Sequence, residues 1–338
     1  MPNTRTTKNG FDAFDEALNL DPAERLAAES RHREITECLT ETAVAESTFL
    51  QGSFARKTMP KPLKDVDMVI LLTPELWPNL QKPGGATTAF EMLKPHLVNS
   101  FPGAQFDVDG QAAHALQVTF PDLAFTFDLV PAFADPEGGE DVFIADREDD
   151  AWERSNARRL KRVVSERNIL TGGALVHQIR MLKAFNKYQL KLDACGLVLE
   201  SIGFAAIGSR QPHSNALVLA FEWAAANVHD GILDPTGVDD VISDWDLTQR
   251  AAHREVFLYA TERGREALVL ESEGEHEAAI EIWSTILGDS FPAAAPQTVD
   301  EALAGLTAGS VTTEGRVVTS MLGNQPVRPG RSHGTLAR

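Results

Sequence analysis

Cysteine is nearly missing from this 338-residue chain. Only Cys38 and Cys195 are present, and neither sits in a CxxC pair or a Cys/His cluster. A disulfide scaffold and a structural zinc site are therefore not expected, and the usage suits a reducing, cytoplasmic setting. Long apolar runs are lacking too. The longest near a motif, residues 68–72, is far too short to span a bilayer, and the N-terminal MPNTRTTKNG has no apolar signal-peptide core. The expectation is a soluble protein that does not enter membranes. Positive charge is in deficit: 31 Lys and Arg against 49 Asp and Glu give a formal net charge of −18. Phosphate backbones need a basic surface, so a protein that coats long nucleic acid is not expected.

What is present is ordinary for a globular chain, with 43% hydrophobic and 24% charged residues. The length suits one large domain or two ordinary ones. One stretch departs from the acidic average. Residues 151–190 hold nine Lys or Arg and only two acidic residues. Either a phosphate-bearing ligand is met there, or a helix turns a solvated basic face outward.

Residues 11–43 read as helix in two pieces, broken at Asp21-Pro22, where Asp21 suits an N-cap and Pro22 the first helical position. Residues 48–50 read as a short strand and 66–72 (VDMVILL) as a buried one. A loop at 81–88 and a helix at 89–99 follow. Residues 105–109, 115–120 and 124–130 alternate like strands. The Pro-, Gly- and acid-rich residues 131–150 read as loop, and from Trp152 onward the pattern is almost entirely helical. Residues 308–338, rich in Gly, Pro, Ser and Arg, read as a mobile tail. The outline is a mixed α/β half followed by a helical half.

The chemistry concentrates in Gln51-Gly52-Ser53 and in Asp65-Val66-Asp67. Gly52, lacking Cβ, lets a phosphate approach the backbone, and Ser53 offers a hydroxyl and an N–H to the same oxygens. The spacing is not that of a Walker A loop. On a strand, Asp65 and Asp67 share one face, while Val66 and Met68 face the core. Two such carboxylates repel unless neutralised, and a divalent cation is the natural partner. The competing reading is an edge strand that begins at the surface. Asp128, alone among apolar residues in FTFDLV, is either a third ligand or a buried acid satisfied by an arginine. Asp107 and Asp109 form a second DxD, read as a strand end and turn because Gly110 follows.

Gly52-Ser53, Asp65-x-Asp67 and a later strand aspartate resemble the DNA polymerase β-like nucleotidyltransferases. More of the chain resembles one branch, the CD-NTases, bacterial relatives of cyclic GMP-AMP synthase and oligoadenylate synthase. The further matches are Leu182-Lys183-Ala184-Phe185-Asn186, Leu199-Glu200, Asp234-Pro235-Thr236-Gly237, Trp283 and Gly288-Asp289-Ser290-Phe291-Pro292. Order and spacing hold over residues 45–292. One departure is that Cys195 and Gly196 stand where many relatives place a triphosphate-binding serine.

The resemblance implies an α/β fold: a polymerase β-like core with a mixed sheet, packed against a C-terminal helical domain. It divides the chain into a catalytic core with its N-terminal helix at 11–165, a helical domain at 166–307 and a tail at 308–338. It implies NTP substrates, two Mg²⁺ ions held by Asp65, Asp67 and Asp128 as the catalytic trio, and a nucleotide site at Gln51, Gly52, Ser53 and Lys183. The implied activity is synthesis of a cyclic di- or oligonucleotide messenger in antiphage signalling, with an effector or regulatory protein as partner. A linear-oligonucleotide, RNA or small-molecule nucleotidyltransferase, and a non-catalytic nucleotide-binding relative, are the alternatives.

Overall fold

The structure is a computed structural model that describes residues 6–107, 112–189, 192–236 and 241–294. Asp109, Gly110, Gly237 and the expected tail at 308–338 lie outside the described residues.

Two helices open the chain, α1 (Thr7–Leu18) and α2 (Pro22–Glu41). Asp21 separates them as the sequence predicts, its Oδ1 accepting from the Ala23 N–H at 2.8 Å with Pro22 at the first helical position. Then come β1 (Ala45–Leu50), the one-turn α3 (Gly52–Ala55), β2 (Asp65–Leu72), the short α4 (Trp77–Leu80) and α5 (Gly85–Ser100). Strands β3 (Gln105–Phe106), β4 (Leu116–Thr119), β5 (Thr126–Ala134), β6 (Val142–Asp146) and β7 (Ala151–Ser155) follow. The remaining described elements are helices: α6 (Ala157–Leu170), α7 (Leu175–Tyr188), α8 (Gly196–Ala206), α9 (His213–Asn227), α10 (Leu247–Glu273) and α11 (His276–Leu287).

The strands form one mixed sheet in the order β1-β2-β5-β4-β3. β2 and β5 run parallel and every other pairing is antiparallel. β5 pairs with β2 along one edge. Its other edge is shared by β4, up to Leu129, and β6, from Ala132. Two expectations are corrected here. Residues 131–150 are not simply loop, because β5 continues to Ala134 and β6 lies within them. Nor is the chain helical directly from Trp152, which belongs to β7 and packs its ring 4.9 Å from Phe133.

The sheet has two distinct faces. Val66, Met68, Ile70 and Leu72 of β2, with Phe127 and Leu129 of β5, pack into a large core beneath α2 and α5. Alternation sends Val69 and Leu71, with Val130 and Ala132, into a small cluster on the opposite face. A second large core joins α7 to α11. Phe11, Phe14 and Leu18 of α1 belong to this helical core and not to the sheet that follows them in sequence. Phe11 stacks edge-on against Trp283 and Phe291, each at 5.0 Å between ring centres.

Candidate active site

β2 is an interior strand, flanked by β1 and β5, which removes the reading of Asp65 and Asp67 as the start of an exposed edge. Both lie on the face opposite the α2/α5 core, at the end of the strand where that face turns from apolar to acidic. Asp67 and Asp128 are in-register neighbours across the parallel pair, and Asp65 lies beside Thr126. In-register residues of adjacent strands project to the same side, so the three carboxylates share one face. No arginine pairs with Asp128 among the described residues. Its Oδ1 accepts instead from Gln117 Nε2 at 3.1 Å, across the antiparallel β4.

The electrostatics follow from this crowding. Burial, then the charges of Asp65 and Asp128, push the Asp67 carboxyl up to about 6, with Arg56 pulling in the opposite direction. The Asp128 carboxyl is also raised, first by burial and further by Asp65, while the Gln117 hydrogen bond opposes the shift. Burial and neighbouring charge disfavour ionisation of Asp67 and Asp128, and with Asp65 they form a donor set suited to a divalent cation with oxygen ligands.

The turn before α3 is held against this cluster. Gln51 donates its backbone N–H to the Asp67 carbonyl at 3.0 Å. Gly52 adopts φ +68, a left-handed conformation that suits glycine, and its bare Cα faces the Asp67 carboxylate. The Ser53 carbonyl accepts from the Thr58 N–H at 2.9 Å, closing the turn.

Lys183, on α7, does not stand alone. Its ammonium donates to Glu200 Oε1 at 2.7 Å and to Thr58 Oγ1 at 3.4 Å. Glu200, on α8, is fully buried and also accepts from Arg56 Nε at 2.6 Å, Arg56 Nη2 at 3.2 Å and Thr58 Oγ1 at 2.7 Å. Burial by itself would raise the Glu200 carboxyl. Arg56 and Lys183 outweigh it and hold the group at about 2. The structure thus brings the Gln51–Ser53 turn, the three aspartates and Lys183 to one region. Sequence reasoning assigned no role to Arg56, Thr58, Gln117 or Glu200. A signal for Glu200 was present: an acid within the apolar run VLESIGF is a candidate for a paired, buried charge.

A mixed sheet presenting three carboxylates beside a glycine-serine turn, with helices packed behind it, defines a DNA polymerase β-like nucleotidyltransferase. Comparison with known proteins narrows the class. Residues 6–168 match the family model described as Second Messenger Oligonucleotide or Dinucleotide Synthetase domain. A "Probable cyclic nucleotide synthase" of Bacillus cereus (strain VD146) is 24% identical over 271 residues, spanning 71% of this chain and 81% of the relative. Among solved structures, CdnC of E. coli MS115-1, in a CdnC:HORMA-deltaN complex, superposes with a TM-score of 0.68 at 13% identity, over 83% of this chain and 96% of that one. CdnG of Bradyrhizobium diazoefficiens, a CD-NTase in complex with GTP, gives 0.65 at 12% identity over 83% and 95%. Residues 6–168 therefore carry a second-messenger synthetase domain of the CD-NTase type, and the chain as a whole is similar to cyclic nucleotide synthases.

Proposed function

We propose that the protein makes a cyclic di- or oligonucleotide second messenger from NTPs in a Mg²⁺-dependent reaction, and that the product serves antiphage signalling. The observation that carries this reading is the placement of Asp65, Asp67 and Asp128 on one face of adjacent strands, against the Gly52-Ser53 turn. Solved relatives support the substrate class, since E. coli CdnC was determined with ATP and Bradyrhizobium CdnG with GTP. The E. coli complex with a HORMA protein supports a regulatory protein as partner.

In this reading Asp65, Asp67 and Asp128 would hold two Mg²⁺ ions, which would supply charge neutralisation at the transferred phosphoryl group and lower the pKa of the acceptor hydroxyl. The chain's own contributions are separate. Gly52 admits the triphosphate to the backbone, Ser53 offers its N–H and hydroxyl, and Lys183 offers positive charge to the phosphates. Asp128 is placed to accept the proton of the attacking ribose hydroxyl. That oxygen bonds to the α-phosphorus as pyrophosphate leaves. A second transfer of the same kind closes the ring.

The test is incubation of the purified chain with the four NTPs and Mg²⁺, followed by phosphatase treatment and mass spectrometry. A phosphatase-resistant product is expected, because only a ring lacks terminal phosphates. The doubly substituted Asp65→Ala, Asp67→Ala protein should be folded and consume no NTP. Wild-type turnover by that variant would remove the assignment, and a phosphatase-sensitive product would make the enzyme a linear synthase.

A further inference from the structure

We infer that Glu200 is a positioning residue for the triphosphate site, an anion that locks the Gly52-Ser53 turn of the sheet half to Lys183 of the helical half. The inference rests on the nucleotidyltransferase reading above and adds a residue to it.

The geometry is specific. Glu200 comes from α8, Lys183 from α7, and Arg56 and Thr58 from the segment that leaves α3. Within the described residues, the Glu200 carboxylate accepts from all three partners, with both oxygens engaged by Arg56. Arg56 directly follows α3, and its backbone N–H donates to the Gly52 carbonyl at 3.2 Å. Fixing the Arg56 guanidinium therefore fixes the turn whose Gly52 rests on Asp67.

Charge counting gives the cluster its purpose. Arg56 and Lys183 bring two positive charges and Glu200 one negative, so this trio by itself carries one positive charge beyond neutrality, beside the Asp67 carboxylate on which Arg56 also acts. The side chains of Arg56, Lys183 and Glu200 are 8%, 10% and 1% exposed. A purely structural pair would be neutral, since an excess buried charge is costly. An excess cation held beside an acidic cluster suits an arriving polyanion. An ammonium has three N–H groups, and two of those of Lys183 are spent on Glu200 and Thr58. That leaves one donor for a phosphate oxygen while the other two keep the nitrogen in place.

The experiment uses the full chain and two readouts: the half-saturating NTP concentration for pyrophosphate release, and calorimetric binding of inorganic triphosphate, which is blind to base preference. Glu200→Gln keeps the shape and removes the charge. It should raise the half-saturating concentration and weaken triphosphate binding by about tenfold or more, with the circular dichroism spectrum retained. In an Arg56→Met background the same substitution should add less than it does alone, because part of the effect of Glu200 passes through Arg56. A folded Glu200→Gln protein within twofold of wild type in both readouts would overturn the inference, as would full additivity with Arg56→Met. Should Glu200→Gln fail to fold, Thr58→Val, which removes one bond to the carboxylate, should raise the half-saturating concentration about threefold, and no change would overturn the inference. Failure of the activity itself is distinct: it is a wild-type chain that consumes no NTP.

Discussion

The Asp67 carboxylate fills the space in which a side chain at Gly52 would stand: a Cβ built on Gly52 would lie 1.7 Å from Asp67 Oδ2 and 2.5 Å from its Cγ. Turn and acid are thus shaped to each other, and neither can be enlarged alone.

Gly52→Ala should therefore reduce NTP turnover by about a hundredfold or more and lower the melting temperature. Two effects combine, the left-handed strain of about 1–2 kcal/mol and displacement of the Asp67 carboxylate. Gly84→Ala is the control. Gly84 has φ +83 with no heavy atom within 4 Å of a built Cβ, so it bears the strain without the collision. Equal turnover by the two variants would show that the contact with Asp67 has no effect on the site.

The raised Asp67 carboxyl makes stability depend on pH in a defined direction. Its group titrates at about 6 in the folded chain against an ordinary 3.8. Between these values the folded state holds a proton that the unfolded chain has released. Stability from this group is complete below about pH 4 and is lost as pH rises through 6, by at most about 3 kcal/mol. In EDTA, Asp67→Asn should melt higher than wild type at pH 7.5, with the difference vanishing near pH 4. Thermal melts across that range would read it, and an unchanged melting temperature at pH 7.5 would remove the repulsion argument.

Lys183→Ala should raise the KM for NTP about tenfold while kcat falls less, since the ammonium is proposed to bind phosphates that are present in both ground and transition states. The same substitution leaves Glu200 with Arg56 and Thr58, so the protein should remain folded. Steady-state kinetics with saturating Mg²⁺ decides, and an unchanged KM takes Lys183 out of the nucleotide site.

Much of this arrangement was legible in the residue order. The i, i+2 spacing of Asp65 and Asp67 ahead of an apolar run placed both on one strand face, and a lone acid in FTFDLV pointed to Asp128. Asp21-Pro22 marked the break between the first two helices. Other features were hidden by mixed signals. Pro131 read as the end of a strand, yet it falls between the last β5 residue paired to β4 and the first paired to β6, where the outer ladder is interrupted and a missing N–H is tolerated. Trp152 sits beside Glu153 and Arg154, whose charge masked a half-buried strand that packs through the Trp152 ring on Trp77 and Phe133. The Arg56–Glu200 pair spans 144 positions, and no local pattern reports a contact at that separation.

The placement of α1 bears on how the molecule can be cut. The family match ends at residue 168, which invites expression of the sheet-bearing portion by itself. Such a fragment would keep Phe11, Phe14 and Leu18 but discard Trp283, Phe291 and the other side chains that shield them. It would also strip Glu200 from Arg56, leaving a guanidinium facing solvent beside three acids. The recombinant piece should be sticky and inert, and useful truncations must either retain α11 or delete the opening helix along with it.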